Sequence, residues 1–450
     1  MCAVLILAIG GALCFRYLSS PDIGETDPTV VILPNGQELY QQAANASDYY
    51  ALTILTVTKT RVNGQTFTDE ILQQYIRDGK ISQVSEVQTI GDFRIESTLT
   101  YSDGTAYLAL GDCRYSSQMP ESEYQNRYAP LAMFDPTIYQ GCQATYDGTA
   151  TSISFVVAEY AEQWAVDRYD SLLEASGCAI LNADNKLIQS SYTVQYRLGD
   201  AEIEKVIEVK VTEPETIIAK PSNADYLPLE DLDAPVALER ACGFLLQAHS
   251  ISSRLNETIV CEAFGDHRSQ ETVLNTDGIG DLFTAQVNIS AVSVNSSRGG
   301  ETTYKNQCIT YKDKIYTIIE NAGDPVTKTD IEPSTMQLYC QDNLVGTILL
   351  PEYITSVGIT EENNRLYTFT ANETLCQLMC QSVCQILYQS PDLLDSLASS
   401  HTTNKMEGYL AIDLTTGLPV SSGIHYDSVY IVDGFPYPLQ YTSEQTYSIP

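Results

Sequence analysis

Three cysteines, Cys376, Cys380 and Cys384, recur every four residues, and this spacing is the first that could carry chemistry. On a helix they share one face, and the outer two lie about 12 Å apart at 1.5 Å of rise per residue. A tetrahedral metal ion needs its thiolates within about 2.3 Å, so a metal or redox site is disfavoured, and a bridge from Cys376 to Cys384 is excluded. Two interpretations stay open: small core residues that face a sheet, or one or two thiols bridged to Cys308 or Cys340.

The other cysteines permit disulfides without requiring them. The chain has twelve cysteines, and ten remain after Cys2 and Cys14, which belong to an apolar N-terminal run. An even number outside the cytoplasm is compatible with disulfide bonds. In the N-terminal half we predict Cys113 and Cys142 as a possible disulfide, and Cys178 is then either left over or paired elsewhere.

No motif in the sequence indicates catalysis. The four histidines, His249, His267, His401 and His425, all lie in the C-terminal half, and none has metal-ligand spacing. We expect Asp266 and His267 to form a solvated pair in a loop. A nucleophile elbow, a phosphate-binding loop and an EF-hand loop are all missing. The sequence therefore predicts no catalytic residues, no metal site and no cofactor, and a protein that is not an enzyme.

The charge balance limits the partners. The chain has 24 basic and 58 acidic residues, a net charge of −34. A field of this sign repels phosphate backbones and anionic lipid headgroups. We therefore expect no nucleic-acid partner, and we attribute the acidity to solubility outside the cell.

The N-terminus predicts export. Residues 2–15 form a continuous apolar run that is followed by Arg16. Fourteen residues are fewer than the roughly 20 that span a bilayer, and no basic residue precedes them. Three interpretations stay open: a signal-anchor helix whose basic start lies upstream, a cleaved signal peptide, or a lipoprotein signal with Cys14 acylated. We assign 1–18 as signal or membrane anchor and 19–35 as a stalk, and the remainder as an extracytoplasmic, monomeric ectodomain.

The rest of the chain contains two similar segments. The strand–turn–strand patterns Cys178–Ser191 and Tyr409–Ser422 share an offset of 231 residues. Earlier, Thr100–Tyr107 and Thr310–Tyr316 both indicate hairpins with an Asp-centred turn. A Pro-rich stretch separates the copies, so we predict domains at 36–213 and 236–450 joined by a linker at 214–235.

Each copy is predicted to contain two helices. A short one opens each copy, at Glu38–Ala46 and Ala237–Ala248. Amphipathic helices follow at Val157–Glu174 and Asn372–Gln389, and Asn372 has the type of a good N-cap. The apolar side chains of the longer helices that could line a hollow and bind a ligand are Tyr160, Trp164, Leu375, Met379 and Val383.

The order of elements and the hairpin pattern Ala411–Val420 resemble the LolA/LppX-like superfamily, in particular uncharacterised lipoproteins of Gram-positive bacteria. The resemblance implies an α+β fold of two tandem LolA-like half-barrels. Each would be a curled antiparallel sheet covered by helices, with an apolar hollow that carries acyl chains in the transport members. We therefore expect a non-enzymatic, membrane-anchored protein that binds a hydrophobic or lipidic ligand. The alternative is a structural or protein-interaction module of the cell envelope with no small-molecule ligand.

Overall fold

The computed structural model is mostly β-sheet. The ranges that the structure describes are 31–46, 51–129, 139–157, 169–212, 218–296, 299–321, 324–345, 354–361, 364–376, 378–379, 383, 401–432 and 435–449. The apolar N-terminal run and the stalk up to residue 30 lie outside them.

The first sheet has thirteen strands in the order β1-β8-β9-β10-β11-β12-β2-β3-β4-β5-β6-β7-β13. Its strands are β1 Val31–Leu33, β2 Ala51–Val62, β3 Gln65–Asp78, β4 Ile81–Ile90, β5 Phe93–Ser102, β6 Thr105–Leu110, β7 Cys113–Gln118, β8 Tyr139–Tyr146, β9 Thr151–Val157, β10 Ser171–Leu181, β11 Leu187–Leu198, β12 Ala201–Val211 and β13 Leu227–Pro228.

The second sheet has eleven strands in the order β19-β18-β17-β16-β15-β14-β24-β23-β22-β21-β20. Its strands are β14 Ile251–Cys261, β15 Asp266–Asp277, β16 Thr284–Asn295, β17 Glu301–Lys312, β18 Ile315–Ile319, β19 Thr327–Asp330, β20 Ile354–Glu361, β21 Asn364–Ala371, β22 His401–Asp413, β23 Pro419–Val432 and β24 Phe435–Ser448.

The two sheets repeat one connectivity. Each has a run of six consecutive strands, β2–β7 or β14–β19, and a run of five, β8–β12 or β20–β24. In both sheets the last strand of the five pairs with the first strand of the six, as β12 does with β2 and β24 with β14. Within the described residues neither sheet closes on itself.

Sharp turns join the adjacent strands that the sequence predicted as hairpins. Asp103 and Gly104, between β5 and β6, have φ values of 51° and 80°. Asp313 and Lys314, between β17 and β18, have φ values of 53° and 63°. Two consecutive residues with positive φ match the twist of antiparallel strands, and both predicted hairpins are confirmed.

Four α-helices have their bounds within the described residues: α1 Gly36–Ala46, α2 Glu121–Arg127, α3 Asp233–Gln247 and α4 Pro333–Val345. Helices α1 and α3 confirm the two predicted opening helices. The prediction of a helix over Val157–Glu174 is wrong at both ends, because Val157 ends β9 and residues 171–174 begin β10. Residues 158–168 lie outside the described part of the chain.

The described part of the segment that was predicted as a linker packs on the first sheet. Strand β13 pairs in parallel with β7, and the Leu229 amide donates a hydrogen bond to the Ser116 carbonyl at 2.8 Å. The Arg127 guanidinium, at the end of α2, binds the carboxylates of Asp231 and Asp233. This part of the predicted linker is therefore held by specific contacts.

Helix α3 contacts both sheets. The Phe244 ring packs edge-on against Phe67 of β3, with centroids 6.0 Å apart. The Arg240 guanidinium binds the buried Asp69 carboxylate, which also accepts a hydrogen bond from Gln88 at 2.7 Å. The opposite side of α3 belongs to a core cluster that extends from the first sheet to the second. Its members include Leu99, Leu108, Leu238, Leu245, Leu274 and Tyr441.

Candidate functional site

Five apolar side chains were predicted to line a hollow, and three of them lie in the described part of the chain. Val383 is buried, while Leu375 and Met379 are partly buried and pack against the core cluster that both sheets share. None of the three lines either of the two cavities described below. Tyr160 and Trp164 lie outside the described residues, so all five stay predictions as ligand-binding residues.

Asn372 caps the helix that carries these residues. The Leu375 amide donates a hydrogen bond to Asn372 Oδ1 at 3.1 Å, and the Cys376 amide donates to the Asn372 carbonyl at 3.2 Å. Residues 373–376, 378, 379 and 383 are helical. The predicted N-cap is confirmed.

The described thiols do not form the predicted bridges. Cys142 in β8 carries a free thiol, so the predicted disulfide with Cys113 of β7 is wrong; nine strands separate β8 from β7 in the sheet order. Cys308, Cys340 and Cys376 are also free. Burial raises the pKa of the Cys340 thiol to about 12. Cys376 is 2% exposed, which agrees with the interpretation of small core residues.

Two Asp–His pairs lie among the described residues of the second sheet. Asp266 and His267 begin strand β15, and Asp266 is fully buried, so the expectation of a solvated pair in a loop is wrong. His425 Nε2 lies 2.9 Å from Asp427 Oδ2, but both side chains are more than 40% exposed. Across the ranges that the structure describes, no group of three or more His, Cys, Asp or Glu side chains could hold a metal ion. Also within those ranges, no helix is long and apolar enough to cross a membrane.

Aromatic side chains fill the space between α1 and the first sheet. Tyr40 of α1 meets Tyr139 of β8 edge-on, with centroids 4.9 Å apart, and Phe155 of β9 lies 4.2 Å from Tyr139. Tyr192 of β11 stacks on Tyr139 at 5.7 Å. All four side chains are at most 3% exposed. This part of the first sheet is packed with buried aromatic side chains.

The second sheet bears a cavity of about 650 Å³ that crosses strands β20 to β24. Its walls are two rows of side chains that lie opposite one another on adjacent strands. One row is Ser356, Thr370, Glu407, His425 and Thr442, and the other is Gly358, Thr368, Tyr409, Gly423 and Glu444. Between them runs the row Val357, Phe369, Gly408, Ile424 and Ser443.

The walls of this cavity face away from the core. Successive side chains of a strand point to opposite faces, and the neighbours Leu410, Tyr426 and Tyr441 are at most 5% exposed. Tyr409 and Thr442 therefore lie on the outer face. We call this cavity the outer cavity of the second sheet.

Glycines deepen the outer cavity and position its aromatic ring. A Cβ at Gly423 would lie 2.4 Å from Cε1 of Tyr409 and 2.8 Å from the Ser443 carbonyl. The Tyr409 ring therefore lies directly on the backbone of Gly423. A Cβ at Gly358 would lie 2.8 Å from Thr368 Oγ1. The lack of a side chain at Gly358 therefore also leaves space in the cavity.

Carboxylates dominate the electrostatics of the outer cavity. Glu230, Glu407 and Glu444 line it, and Lys405 Nζ lies 2.8 Å from Glu407 Oε1. Burial, and then the charge of Glu444, raise the pKa of the Tyr409 phenol. Tyr409 is therefore a neutral hydrogen-bonding group, and the cavity combines an aromatic surface with a polar, acidic rim. Local sequence could not have revealed this site, because its walls come from five strands.

No protein-family model matches the chain, and no curated protein matches it. Among solved structures, it is similar to the lipoprotein LppX of Mycobacterium tuberculosis, at 14% identity and a TM-score of 0.26, over 41% of this chain and 99% of that one. A DUF1329 family protein of Desulfovibrio piger is 12% identical with a TM-score of 0.21, over 43% of this chain and 96% of that one. The MucA/MucB complex of Pseudomonas aeruginosa is 8% identical with a TM-score of 0.19, over 91% and 93%.

Proposed function

We propose that the protein is a non-enzymatic, extracytoplasmic binding protein that is anchored to the membrane through residues 1–18 and takes a ligand with a hydrophobic body. The two sheets would then be tandem half-barrels, as the sequence resemblance implies. The outer cavity of the second sheet carries the proposal. Its volume of about 650 Å³ falls within the range of roughly 300–1,000 Å³ that is usual for ligand pockets.

The chemistry of the outer cavity favours an amphipathic ligand. The Tyr409 ring on Gly423 provides a flat apolar surface. Covering such a surface with an apolar ligand removes it from water, which is favourable. Glu407 and Glu444 on the walls can accept hydrogen bonds from a polar end group. A fatty-acid carboxylate would be repelled by them, so a neutral or cationic end group is favoured.

The test is to block the outer cavity and titrate full-length protein with an acyl chain that carries an environment-sensitive dye and a neutral end group. Thr442 is an exposed wall residue of β24. We expect Thr442→Trp to fill the cavity and to weaken binding at least tenfold, which corresponds to about 1.4 kcal/mol.

Thr446→Trp is the matched control. Thr446 is exposed on the same face of the same strand but does not line the cavity. This variant should bind the dye like the wild type. Equal loss in both variants, or a wild type that leaves the dye unchanged, would count against the proposal.

A second candidate function is a structural or protein-interaction module without a small-molecule ligand. The observation that favours it is the aromatic cluster of Tyr40, Tyr139, Phe155 and Tyr192, which fills the described space under α1. A wild-type protein that binds no acyl probe, but binds an envelope protein through the second sheet, would favour this candidate.

A further inference from the structure

A second groove crosses the other wing of the second sheet, over strands β15 to β18. It has a volume of about 350 Å³. The side chains that line it occupy cross-strand pairs: Glu271 with Ser290, Ser290 with Asn306, and Asn288 with Cys308. Four strands at a spacing of about 4.8 Å give it a length of roughly 14 Å. We call it the amide groove.

The lining of the amide groove combines groups that both donate and accept hydrogen bonds with the apolar side chains of Val273, Ile289 and Ile319. Asn288, Asn306 and Asn321 present carboxamides, and Ser290 presents a hydroxyl that donates to Asn306 Oδ1 at 3.0 Å. A carboxamide offers two donors and one carbonyl acceptor. Such a lining is complementary to a ligand whose own groups are both donors and acceptors, as hydroxyl groups are.

The groove is close to neutral in a chain that is strongly acidic. Its one carboxylate, Glu271, is paired with Arg254 Nη1 at 3.1 Å on the neighbouring strand. A cationic ligand therefore gains little from Glu271. The balance of charge favours a neutral ligand.

An exposed aromatic ring lies beside the groove. Tyr304 is 69% exposed, and it is the next residue on the same face of β17 as Asn306, since the two pair with Val292 and Ser290 of β16. A ring this exposed contributes nothing to the core. Its π face carries partial negative charge and attracts the weakly positive C–H groups of a saturated ring.

We propose that the amide groove and Tyr304 form a binding site for a neutral glycan chain. The carboxamides would hydrogen-bond the hydroxyl groups, and one sugar ring would stack its C–H face on Tyr304. A polar peptide could also hydrogen-bond the carboxamides. The exposed Tyr304 ring favours a glycan over such a peptide, because a sugar ring presents a C–H face that stacks on it. This site is separate from the outer cavity and does not depend on the function proposed for it.

The test is isothermal titration calorimetry of full-length protein with hexamers of glucose and of N-acetylglucosamine. We expect at least one hexamer to bind, and Tyr304→Ala and Asn306→Ala each to weaken that binding at least fivefold. Phe435→Ala is the matched control, because Phe435 is 67% exposed on β24 of the same sheet. It should bind like the wild type.

Cosedimentation with insoluble cellulose and chitin tests whether the site binds polymer chains as well as free oligosaccharides. Tyr304→Ala and Asn306→Ala should cosediment less than the wild type, and Phe435→Ala should cosediment like it. The variant Thr442→Trp, which blocks the outer cavity, should keep full glycan binding, so that failure of one site is distinguishable from failure of the other. Three results would overturn the inference: no binding of either hexamer, equal loss in Phe435→Ala and Tyr304→Ala, or binding of a Ser- and Gln-rich peptide without glycan binding.

Discussion

Burial raises the pKa of the Glu86 carboxyl group, although the Gln73 side-chain amide donates a hydrogen bond to it at 2.8 Å. A carboxyl group whose pKa is raised by folding stabilises the folded state only while it is protonated. That contribution is present below the pKa of the unfolded chain, about 4.3 for glutamate, and is lost as the pH rises through the folded-state pKa.

We therefore expect Glu86→Gln to be more stable than the wild type at pH 7.5 and to lose this advantage near pH 4. Glutamine keeps a carbonyl acceptor for Gln73 and removes the charge. The measurement is urea unfolding at both pH values. Glu96→Gln, in the exposed pair with Arg94, should change little at either pH. A Glu86→Gln protein that is less stable than the wild type at pH 7.5 would contradict the assignment.

Individual residues were predictable where a local contact fixes them. The Asn372 cap follows from a side chain and an amide three residues apart. The disulfide prediction failed because it paired Cys113 with Cys142 from their presence in one copy, whereas sheet order decides which strands meet. Cysteine counting contains no information about that order.

Among the secondary-structure elements, the helix after β21 depends on its N-terminus. Asn372 satisfies the amide of Leu375, one of the four amides that a helix leaves without an internal partner. We expect Asn372→Ala to lower the free energy of unfolding by about 1 kcal/mol. Asn372→Asp should retain most of the stability, since aspartate caps as well as asparagine. Urea unfolding of the three proteins checks this, and an Asp variant as unstable as the Ala variant would argue against capping.

Hairpins were the most predictable elements, because turn residues such as Asp103 and Gly104 fix adjacent strands through their own backbone angles. The predicted helix over 157–174 shows the opposite case. Residues 151–156 pair with β10, Val157 pairs with Tyr139 of β8, and residues 171–181 pair with β11. Strand pairing therefore sets where β9 ends and β10 begins. The amphipathic pattern contains no information about this pairing, so the predicted helix included residues of both strands.

At the scale of the whole molecule, the sequence suggested two copies and a linker, but not how the copies meet. Helix α3 precedes the second sheet in the chain and yet packs on β4 and β5 of the first sheet. Its sequence shows a wide apolar surface, including Leu238, Phe244 and Leu245, without indicating that two sheets share it. The core cluster that contains Leu99, Leu238 and Tyr441 extends from the first sheet to the second.

Gly243 lies where α3 approaches the first sheet closely. A Cβ there would lie 2.6 Å from Cδ1 of Phe93 and 3.0 Å from Cδ1 of Ile90. Valine would force α3 away from the first sheet, and overpacking of this kind costs about 1–3 kcal/mol. Valine has a slightly better helix propensity than glycine, so any loss of stability must come from the contact and not from the helix.

We expect Gly243→Val to lower protection against hydrogen exchange in both sheets, in β3 as well as in β24, because the shared core transmits the disturbance. Glu239→Val is the control: it places the same side chain at a partly exposed position in the middle of α3 and should leave both strands protected. The measurement is hydrogen exchange with mass spectrometry at a urea concentration below the unfolding transition. Loss of protection in only one of the two strands, β3 or β24, would show that the two sheets unfold independently.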